Sequence, residues 1–481
     1  MTKNHVFDSL IWSVVKNWGA RLTSLIVFAL LTRLLNARDI GAMAFISAII
    51  VVLTAIAEMG LYNYLIYVED SARARNQIFW FQIYVALGLY ALTALVGPPL
   101  LHYIGQHDAA VMMPYIAILL PIAALTSVQD AIQRRALQFK AIALRSLIGM
   151  LAGAVVGVGL AFLGAGMWSL VFKQLTEALV MAAVMWGISD WRPEWRCDWL
   201  GFRKILDYGR YMAGGRLLDV LTVNIDDMIV GLAVGQQQLG FYSIGKKLYS
   251  ISIDLLAGVI QQISGPLFAK AGGDRARLWS MFVQAVRYSA WLIIPVYVAL
   301  YLFSPTVIPF MFGRQWAGSV WILQSFCVVG VLFPFYQFNW SLIMAGGRAA
   351  SSFHYSLMRN LGGIAILFAA SHWGWAVLVQ AQIARIVFDI AIGWLVMRGV
   401  LAFNYEELAK AVLPALTTAL AVAAIFFLLT WTVGDVFYVQ ALGVACMLGL
   451  AGLMVLKQAG RLNRTGSRQG LATTHEEIKP G

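Results

Sequence analysis

ILDYGRYMAGGRLLDVLTVNIDDMIVG, residues Ile205 to Gly231, is the stretch that decides how this chain folds. It is long enough to cross a membrane, which takes about 20 residues, yet it contains four aspartates, two arginines and an asparagine. A charge at the centre of a spanning helix costs about 2.5–3.5 kcal/mol on insertion scales. Asp207 and Arg210 lie near enough to the end to snorkel, but Arg216 and Asp219 do not. We therefore expect this helix to line a polar pathway between helices.

The composition is that of an integral membrane protein. Of the 481 residues, 60% are hydrophobic and 12% are charged, whereas soluble domains have roughly 25% charged residues. The net charge of +12 is expected to reflect cationic cytoplasmic loops, and no nucleic-acid partner is predicted. Three distant cysteines form neither a disulfide framework nor a metal motif, no cofactor is expected, and the N-terminus contains no removable signal peptide.

Fourteen segments meet the length and apolarity of a membrane span. They are Leu10–Leu35, Ile40–Ile66, Gln77–Gly97, Val111–Val128, Ile142–Leu163, Gly166–Ile188, Ile205–Val234, Leu239–Phe268, Trp279–Phe303, Ala317–Met344, Ser352–Ala370, Gly374–Met397, Leu408–Trp431 and Val436–Leu456. Between the ninth and tenth spans, Pro305 and Pro309 suggest a short re-entrant turn.

Lysine and arginine residues in the loops are concentrated on one side of this predicted membrane topology. One side receives twenty of these residues in its loops and tails, and the other receives only Arg38 and Arg314. Because cytoplasmic loops retain positive charge, we expect a bacterial inner-membrane protein with both termini in the cytoplasm. The loops are too short for a soluble catalytic domain, so no enzyme activity is expected.

The spans repeat. GARLTSL (Gly19–Leu25) matches GGRLLDV (Gly214–Val220), and DIGAMAFIS (Asp39–Ser47) matches QLGFYSIG (Gln238–Gly245). In addition, GMWSLVFKQL, which begins at Gly166, matches GWAVLVQAQI 208 residues later. Such repeats are common in transporters. They predict an all-α fold of two parallel six-helix lobes: residues 1–190, a cytoplasmic linker 191–204, residues 205–400, two extra helices in 401–457 and a disordered cytoplasmic tail 458–481.

Arg21 and Arg216 occupy equivalent positions in the two halves, near the middle of the membrane. If the halves enclose a cavity, the two guanidinium groups face each other and suit an anionic substrate, since the planar fork binds phosphate through two hydrogen bonds. The alternative is neutralisation by a neighbour such as Asp219. The other substrate-binding candidates are deep cations: Lys247, Arg359 and Arg385.

Five carboxylates are candidates for ion coupling: Glu58, Asp219, Asp226, Asp227 and Asp254. Asp226 and Asp227 either pair with Lys246 or Lys247 on the next helix or bind a coupling proton or Na⁺, because buried carboxylates titrate at shifted pKa values. Both alternatives stay open. Lys173 with Glu177, and Arg385 with Asp389, are spaced i, i+4 and predict ion pairs within their helices.

The sequence resembles the Wzx-like polysaccharide flippases of the multidrug/oligosaccharidyl-lipid/polysaccharide exporter superfamily. The resemblance rests on YGRYMAGGRLLDVLTVNIDDMIVG, LGFYSIGKKL, GPLFAK, FGRQW (Phe312–Trp316) and GMWSLVFKQL. It implies alternating access and a polyprenyl-pyrophosphate-linked oligosaccharide as cargo, within a membrane-lipid environment. It further implies coupling to an H⁺ or Na⁺ gradient, and partners in polysaccharide polymerisation and export.

Three alternatives remain. A drug or small-molecule antiporter of the same superfamily would need a cavity of net negative charge, whereas deep arginine and lysine are in surplus here. A membrane polysaccharide polymerase or ligase usually has a long periplasmic loop, and the outer loops here are short. A structural scaffold would not explain charges at equivalent positions near the middle of the membrane.

Overall fold

The computed structural model describes residues 19, 21–136, 138–195, 198–269, 274–346, 349–399 and 404–433. These residues form helices joined by short turns, and no strand occurs among them. The predicted all-α fold is confirmed.

The helices follow one another closely. The first group comprises residues 21–34 (α1), Ala37–Glu58 (α2), Leu61–Tyr67 (α3), Ala72–Tyr103 (α4), His107–Ile116 (α5), Leu119–Arg135 (α6), Phe139–Phe162 (α7) and Met167–Ile188 (α8). The second comprises Phe202–Ala233 (α9), Gln236–Ala269 (α10), Arg275–Phe312 (α11), Val320–Leu332 (α12), Asn339–Ala345 (α13), Ala349–Ser371 (α14), Trp375–Arg398 (α15) and Tyr405–Val433 (α16). Short 3₁₀ segments, Arg314–Ser319 and Phe333–Phe335, flank α12.

In the part of the chain that the structure describes, nine helical segments are long and apolar enough to cross a membrane. The charged α9 is not among them, because every 18-residue window along it contains more than two charges. Each predicted span from Ile40 to Trp431 coincides with one described helix or with several consecutive ones. The first span is described from residue 21 onward, and Val436–Leu456 and the predicted tail lie outside the described residues.

Three predicted spans are interrupted, and the tenth divides into α12 and α13 around the 3₁₀ segment Phe333–Phe335. The second ends at Glu58, where Met59 and Gly60 adopt left-handed conformations with φ of 46° and 64° and α3 begins. The fourth divides into α5 and α6. The division precedes Pro121 by a few residues, and a proline ring inside a helix clashes with the carbonyl four residues earlier, here that of Ala117.

The re-entrant turn expected at Pro305 and Pro309 is not present. Both prolines lie within α11, which continues to Phe312 and ends before Gly313, whose φ is 107°. A long helix tolerates such prolines where neighbouring groups satisfy the freed backbone.

Helix starts recur at the spacing expected from the repeat. α2 begins at Ala37 and α10 at Gln236, 199 residues later. α8 begins after Gly166 and α15 after Gly374, 208 residues later, and both glycines have positive φ, 53° and 90°. Helices at equivalent positions of the two sequence halves thus begin with the same local backbone geometry.

The chain forms two compact units. The first contains the described residues up to Ile251 together with Ile308–Ile322 and Asn360–Ala381. In it, α7 packs closely against α8 along Gly149, Gly153 and Gly157; a Cβ at Gly153 would lie 2.7 Å from the Lys173 carbonyl oxygen. Small residues at this spacing allow two membrane helices to approach closely.

The second unit contains Ser252–Val307, Leu323–Arg359 and the described residues from Gln382 onward. Its core consists of apolar side chains from α11, α13 and α16 together with Phe268, Tyr355 and Met397. Within it, Trp279 donates its indole N–H to Glu407 Oε2 at 2.6 Å, so that α11 and α16 are joined by a polar contact as well.

Candidate functional site

The first unit contains a cavity of about 420 Å³ that we call the lysine cavity. Helices α1, α2, α7, α8, α9 and α10 contribute to its wall. Its charged lining residues are Lys173, Glu177, Asp227, Lys246 and Lys247. Serine, glutamine and asparagine side chains line it as well, so its surface combines apolar area with hydrogen-bonding groups.

Lys246 binds both aspartates of the DD pair in α9. Its ammonium group lies 2.8 Å from Asp226 Oδ1 and 2.9 Å from Asp227 Oδ2, and it donates to the Val223 carbonyl at 3.2 Å. The Tyr242 hydroxyl donates to the second oxygen of Asp226 at 2.7 Å. Because an ammonium has three donors, Lys246 is saturated by the protein itself. The predicted structural pairing exists, and Lys246 is its lysine.

Lys247 differs from its neighbour. It lines the lysine cavity, and its ammonium lies 5.8 Å from the centre of the Phe28 ring. Lys173, which also lines the cavity, forms the predicted ion pair with Glu177 at 2.9 Å. Asp227 Oδ1 and Ser243 Oγ are buried without a hydrogen-bond partner among the described residues. The cavity therefore contains a second lysine beside the Lys246 ion pairs, and two buried oxygens that have no hydrogen-bond partner among the described residues.

A second cavity in the same unit, of about 600 Å³, we call the arginine cavity. Its charged lining residues are Glu58, Asp130, Arg134, Arg145 and Arg216. Asp130 pairs with both Arg134 and Arg145. Three arginines thus face two carboxylates, and the lining has one positive charge in excess.

The two cavities are adjacent along α2. Residues 40–51 of that helix line the lysine cavity and residues 50–58 line the arginine cavity, so that Val51 belongs to both. On α8 the boundary falls between Glu177 and Ala178. A polar path with charged walls therefore follows α2 and α8 through the first unit, as the charges of α9 predicted.

The other first-unit candidates lie in different surroundings. Arg21 is half-buried on α1 and lines neither cavity. Asp219 accepts a hydrogen bond from Asn360 Nδ2 at 3.3 Å. Of the predicted pair Arg21 and Arg216, the structure thus assigns only Arg216 to a cavity.

The remaining candidates belong to the second unit, where Asp254 is exposed. The predicted ion pair of Arg385 with Asp389 is wrong. Asp389 is buried and accepts the Tyr355 hydroxyl, while Arg385 donates to Gln382 Oε1 at 3.5 Å. The Arg359 guanidinium lies 5.9 Å from the centre of the Tyr355 ring. Tyrosine, being neutral, binds the buried carboxylate here.

The sequence reasoning missed Asp130, Arg134 and Arg145. In the predicted topology Arg134 falls in the loop between Val128 and Ile142, and Arg145 lies near the start of the next span. The signal in the sequence is the i, i+4 spacing of Asp130 and Arg134, which is that of a helical ion pair. No sequence pattern marks Tyr242 as the hydrogen-bond donor to Asp226.

Solved structures share the fold. The lipid II flippase MurJ in an inward closed conformation superposes with a TM-score of 0.76, at 12% identity, over 94% of this chain and 99% of that one. An inward-facing multidrug resistance MATE transporter of the MOP superfamily superposes with a TM-score of 0.62, at 16% identity, over 82% and 95%. The shared fold, together with the apolar helices of the described residues, defines an all-α, multi-pass membrane protein.

The family follows from the sequence. The chain matches the family described as "Polysaccharide biosynthesis protein" over residues 30–321, more than half its length, and belongs to it. It is 24% identical to the succinoglycan biosynthesis transport protein ExoT of Rhizobium meliloti, over 72% of this chain and 71% of that protein. It is 22% identical to the teichuronic acid biosynthesis protein TuaB of Bacillus subtilis (85% and 86%), and 20% identical to the lipopolysaccharide biosynthesis protein WzxC of Escherichia coli K12 (81% and 82%).

Proposed function

We propose that this protein flips a polyprenyl-pyrophosphate-linked oligosaccharide from the cytoplasmic to the outer leaflet of the bacterial inner membrane by alternating access. The flipped oligosaccharide would feed exopolysaccharide, capsule or O-antigen assembly, with a polymerase and export machinery acting after it. The family and its relatives, named for succinoglycan transport, teichuronic acid and lipopolysaccharide biosynthesis, support a saccharide cargo. The observation that carries the proposal is the cationic path formed by the two cavities.

The arginine cavity suits the pyrophosphate group. Arg134 and Arg145 share Asp130, so each keeps guanidinium N–H groups that this single carboxylate does not occupy. Arg216 adds a third guanidinium group to the wall of the cavity. Arginine binds phosphate through two parallel hydrogen bonds, and the excess positive charge of the lining compensates part of the charge that a pyrophosphate brings.

The lysine cavity suits the sugars. Its wall provides neutral donors and acceptors, among them Gln174, Asn224 and Ser250, together with the Phe28 ring. Hydroxyl-rich ligands need convergent polar groups on a largely apolar wall. Lys247 also lines this cavity, whereas Lys246 is bound by both aspartates of α9, and we assign Lys247 to the sugar or to the distal phosphate.

We assign ion coupling to Asp227. Asp226 has both oxygens bonded, to Lys246 and Tyr242, whereas Asp227 has one oxygen bonded and the other buried at the cavity wall. Binding of H⁺ or Na⁺ at that oxygen would weaken the hold of Asp227 on Lys246. Glu58, Asp219 and Asp254 are the secondary candidates.

The competing functions are less consistent with these residues. A drug antiporter for cationic compounds would place its substrate beside Arg134, Arg145 and Arg216, where like charges repel. A polymerase or ligase would need an activated nucleophile or acid–base pair in the cavities, and Glu58, a carboxylate of the arginine cavity, shares its wall with arginines.

The test is replacement of Arg216 by alanine and by lysine in a strain that lacks the native gene. We expect Arg216→Ala to abolish surface polymer while lipid-linked oligosaccharide accumulates in the inner membrane at normal protein abundance. Arg216→Lys keeps the charge without the planar fork and should restore export in part.

Arg203→Ala is the matched control, since Arg203 is exposed on the same helix and lines neither cavity. It should leave export unchanged. Normal export by Arg216→Ala would remove the arginine cavity from the transport path. Loss of polymer without accumulated precursor would indicate a role in synthesis.

A further inference from the structure

Two glycines at equivalent repeat positions contact each other's helices. A Cβ at Gly41 of α2 would overlap the backbone of Gln236, and a Cβ at Gly240 of α10 would overlap the backbone of Ala37. Gly41 and Gly240 are 199 residues apart, and so are Ala37 and Gln236. The contact is therefore reciprocal, as in a two-fold interface. Each glycine is the fifth residue of its helix, so the contact lies where both helices begin.

Two glutamines repeat the same symmetry around this contact. In the turn between α4 and α5, Gln106 Nε2 donates to the Gly231 carbonyl in the last turn of α9 at 2.8 Å. In the turn after α11, Gln315 Nε2 donates to the Thr32 carbonyl in the last turn of α1 at 2.8 Å. Thr32 and Gly231 are also 199 residues apart, and each glutamine follows a glycine of positive φ, Gly105 and Gly313, by one or two residues.

Each glutamine thus satisfies a carbonyl that the end of a helix leaves without an intrahelical donor. It belongs to one sequence half, and the helix it holds belongs to the other. The Gln315 side is reinforced, because Trp316 Nε1 also donates to the Thr32 carbonyl at 2.8 Å and Gln315 reaches the Leu35 carbonyl at 3.2 Å. All of these residues lie within the first unit.

We propose that Gln106 and Gln315 are a symmetric pair of positioning residues that keep this end of the transporter closed, and that both bonds break when this end opens. The proposal rests on the proposed alternating access. By the distribution of lysine and arginine, this is the outer end. The Gly41–Gly240 contact brings the two helices together, and the glutamine bonds hold α1 and α9 beside them.

The experiment measures accessibility and needs no cargo. A cysteine is introduced at Ser243, in the lysine cavity, after Cys197, Cys327 and Cys446 are replaced. A membrane-impermeant maleimide is then added to right-side-out and to inside-out vesicles. Gln106→Glu and Gln315→Glu retain the size of the side chain but remove the donated N–H. Each should raise labelling from the outer side and lower it from the inner side, by about two- to tenfold, the range of one net hydrogen bond.

Gln82→Glu is the matched control. Gln82 is buried in the first unit, as Gln106 is, and donates to the Glu58 carbonyl at 3.1 Å, at the other end of α2. It should not raise outer labelling, and the double variant at 106 and 315 should exceed either single one. Unchanged labelling in both single variants, or a rise from both sides together, would overturn the proposal, since a rise from both sides marks general loosening. A failed cargo assignment would leave these outcomes unaffected.

Discussion

Two aspartates are buried, Asp226 in the first unit and Asp389 in the second, and their carboxylates are stabilised by different partners. Asp226 is neutralised by the Lys246 ammonium and receives the Tyr242 hydroxyl as well. Asp389 receives the Tyr355 hydroxyl, and no ion pair to it occurs among the described residues. An ion pair at a cavity wall is open to rearrangement by a charged ligand, whereas a neutral hydrogen bond in a packed core is not.

Their surroundings agree with this difference. Lys246 lines the lysine cavity, beside the unpartnered oxygens of Asp227 and Ser243. Around Asp389 the packing is tight, since Tyr355 belongs to the second-unit core and a Cβ on the neighbouring Gly393 would overlap the Asn339 amide. We infer that the first cluster takes part in transport and that the second stabilises the fold.

The largest effect is expected from Lys246→Met. It leaves Asp226 and Asp227 without their shared cation, and removal of one partner of a buried ion pair costs about 3–5 kcal/mol. Thermal unfolding of the purified protein in detergent measures the loss. Lys247→Met leaves both aspartates paired with Lys246, so it should cost less stability than Lys246→Met, but it should reduce export. Equal destabilisation by both would end the distinction between the two lysines.

Tyr355→Phe should have the next largest effect. It leaves a buried carboxylate oxygen without its donor, which costs about 1–3 kcal/mol of folding stability. Export per folded molecule should remain at the wild-type level, because this cluster is not part of the cavities. A variant of normal stability with lost export would show that the second cluster is functional.

Gly393→Ala and Ser243→Ala sharpen the contrast in packing. The added methyl at Gly393 must displace the Asn339 amide, and overpacking costs about 1–3 kcal/mol. Ser243→Ala removes a buried hydroxyl that has no partner in the described structure, so stability should change by less than about 0.5 kcal/mol. The same unfolding assay compares them; a neutral Gly393→Ala would contradict the tight packing.

The smallest effect concerns Asp70, outside the spanning helices. Hydrogen bonds from Arg75 hold the pKa of Asp70 below its usual value, against the opposing effect of burial. A lowered pKa stabilises the fold above the unfolded value of about 3.9, and that stability is lost as the pH falls through the folded value. Asp70→Asn should cost up to about 1 kcal/mol at pH 7, and this cost should shrink as the pH falls below the unfolded value of about 3.9. A cost that stays the same as the pH is lowered would contradict this.

Much of the fold was predictable because the membrane restricts the chain. Span length and apolarity located the helices, and the repeat predicted the starts of α10 and α15 from those of α2 and α8. The break at Met59 was not predictable, since a left-handed non-glycine residue depends on its tertiary surroundings. Nor was the course of α11 through Pro305 and Pro309.

The candidate site was predictable only in part. The charges of α9 correctly predicted a polar path, and the pairing of a lysine with Asp226 and Asp227 was one of two alternatives that the sequence left open. The rotation of α10 about its axis decides which of the two lysines reaches the aspartates. The sequence of two adjacent lysines does not reveal this rotation. The arginine cavity was not predicted, because Asp130 and Arg145 lie on different helices and neither sequence segment indicates that these helices are in contact. The ion pair of Arg385 with Asp389 was predicted wrongly for a similar reason. Tyr355, 34 residues from Asp389 along the chain, donates to that carboxylate, and Arg385 donates to Gln382 instead.

The most direct test is transport by the purified protein in proteoliposomes. Two fluorescent probes would be compared, a polyprenyl-pyrophosphate-linked disaccharide and the same polyprenyl disaccharide without phosphate. We predict that the wild-type protein flips only the pyrophosphate-linked probe, and that Arg216→Ala loses this activity while Arg203→Ala keeps it. Equal flipping of both probes, or unchanged flipping by Arg216→Ala, would contradict a cationic path for a pyrophosphate-linked cargo.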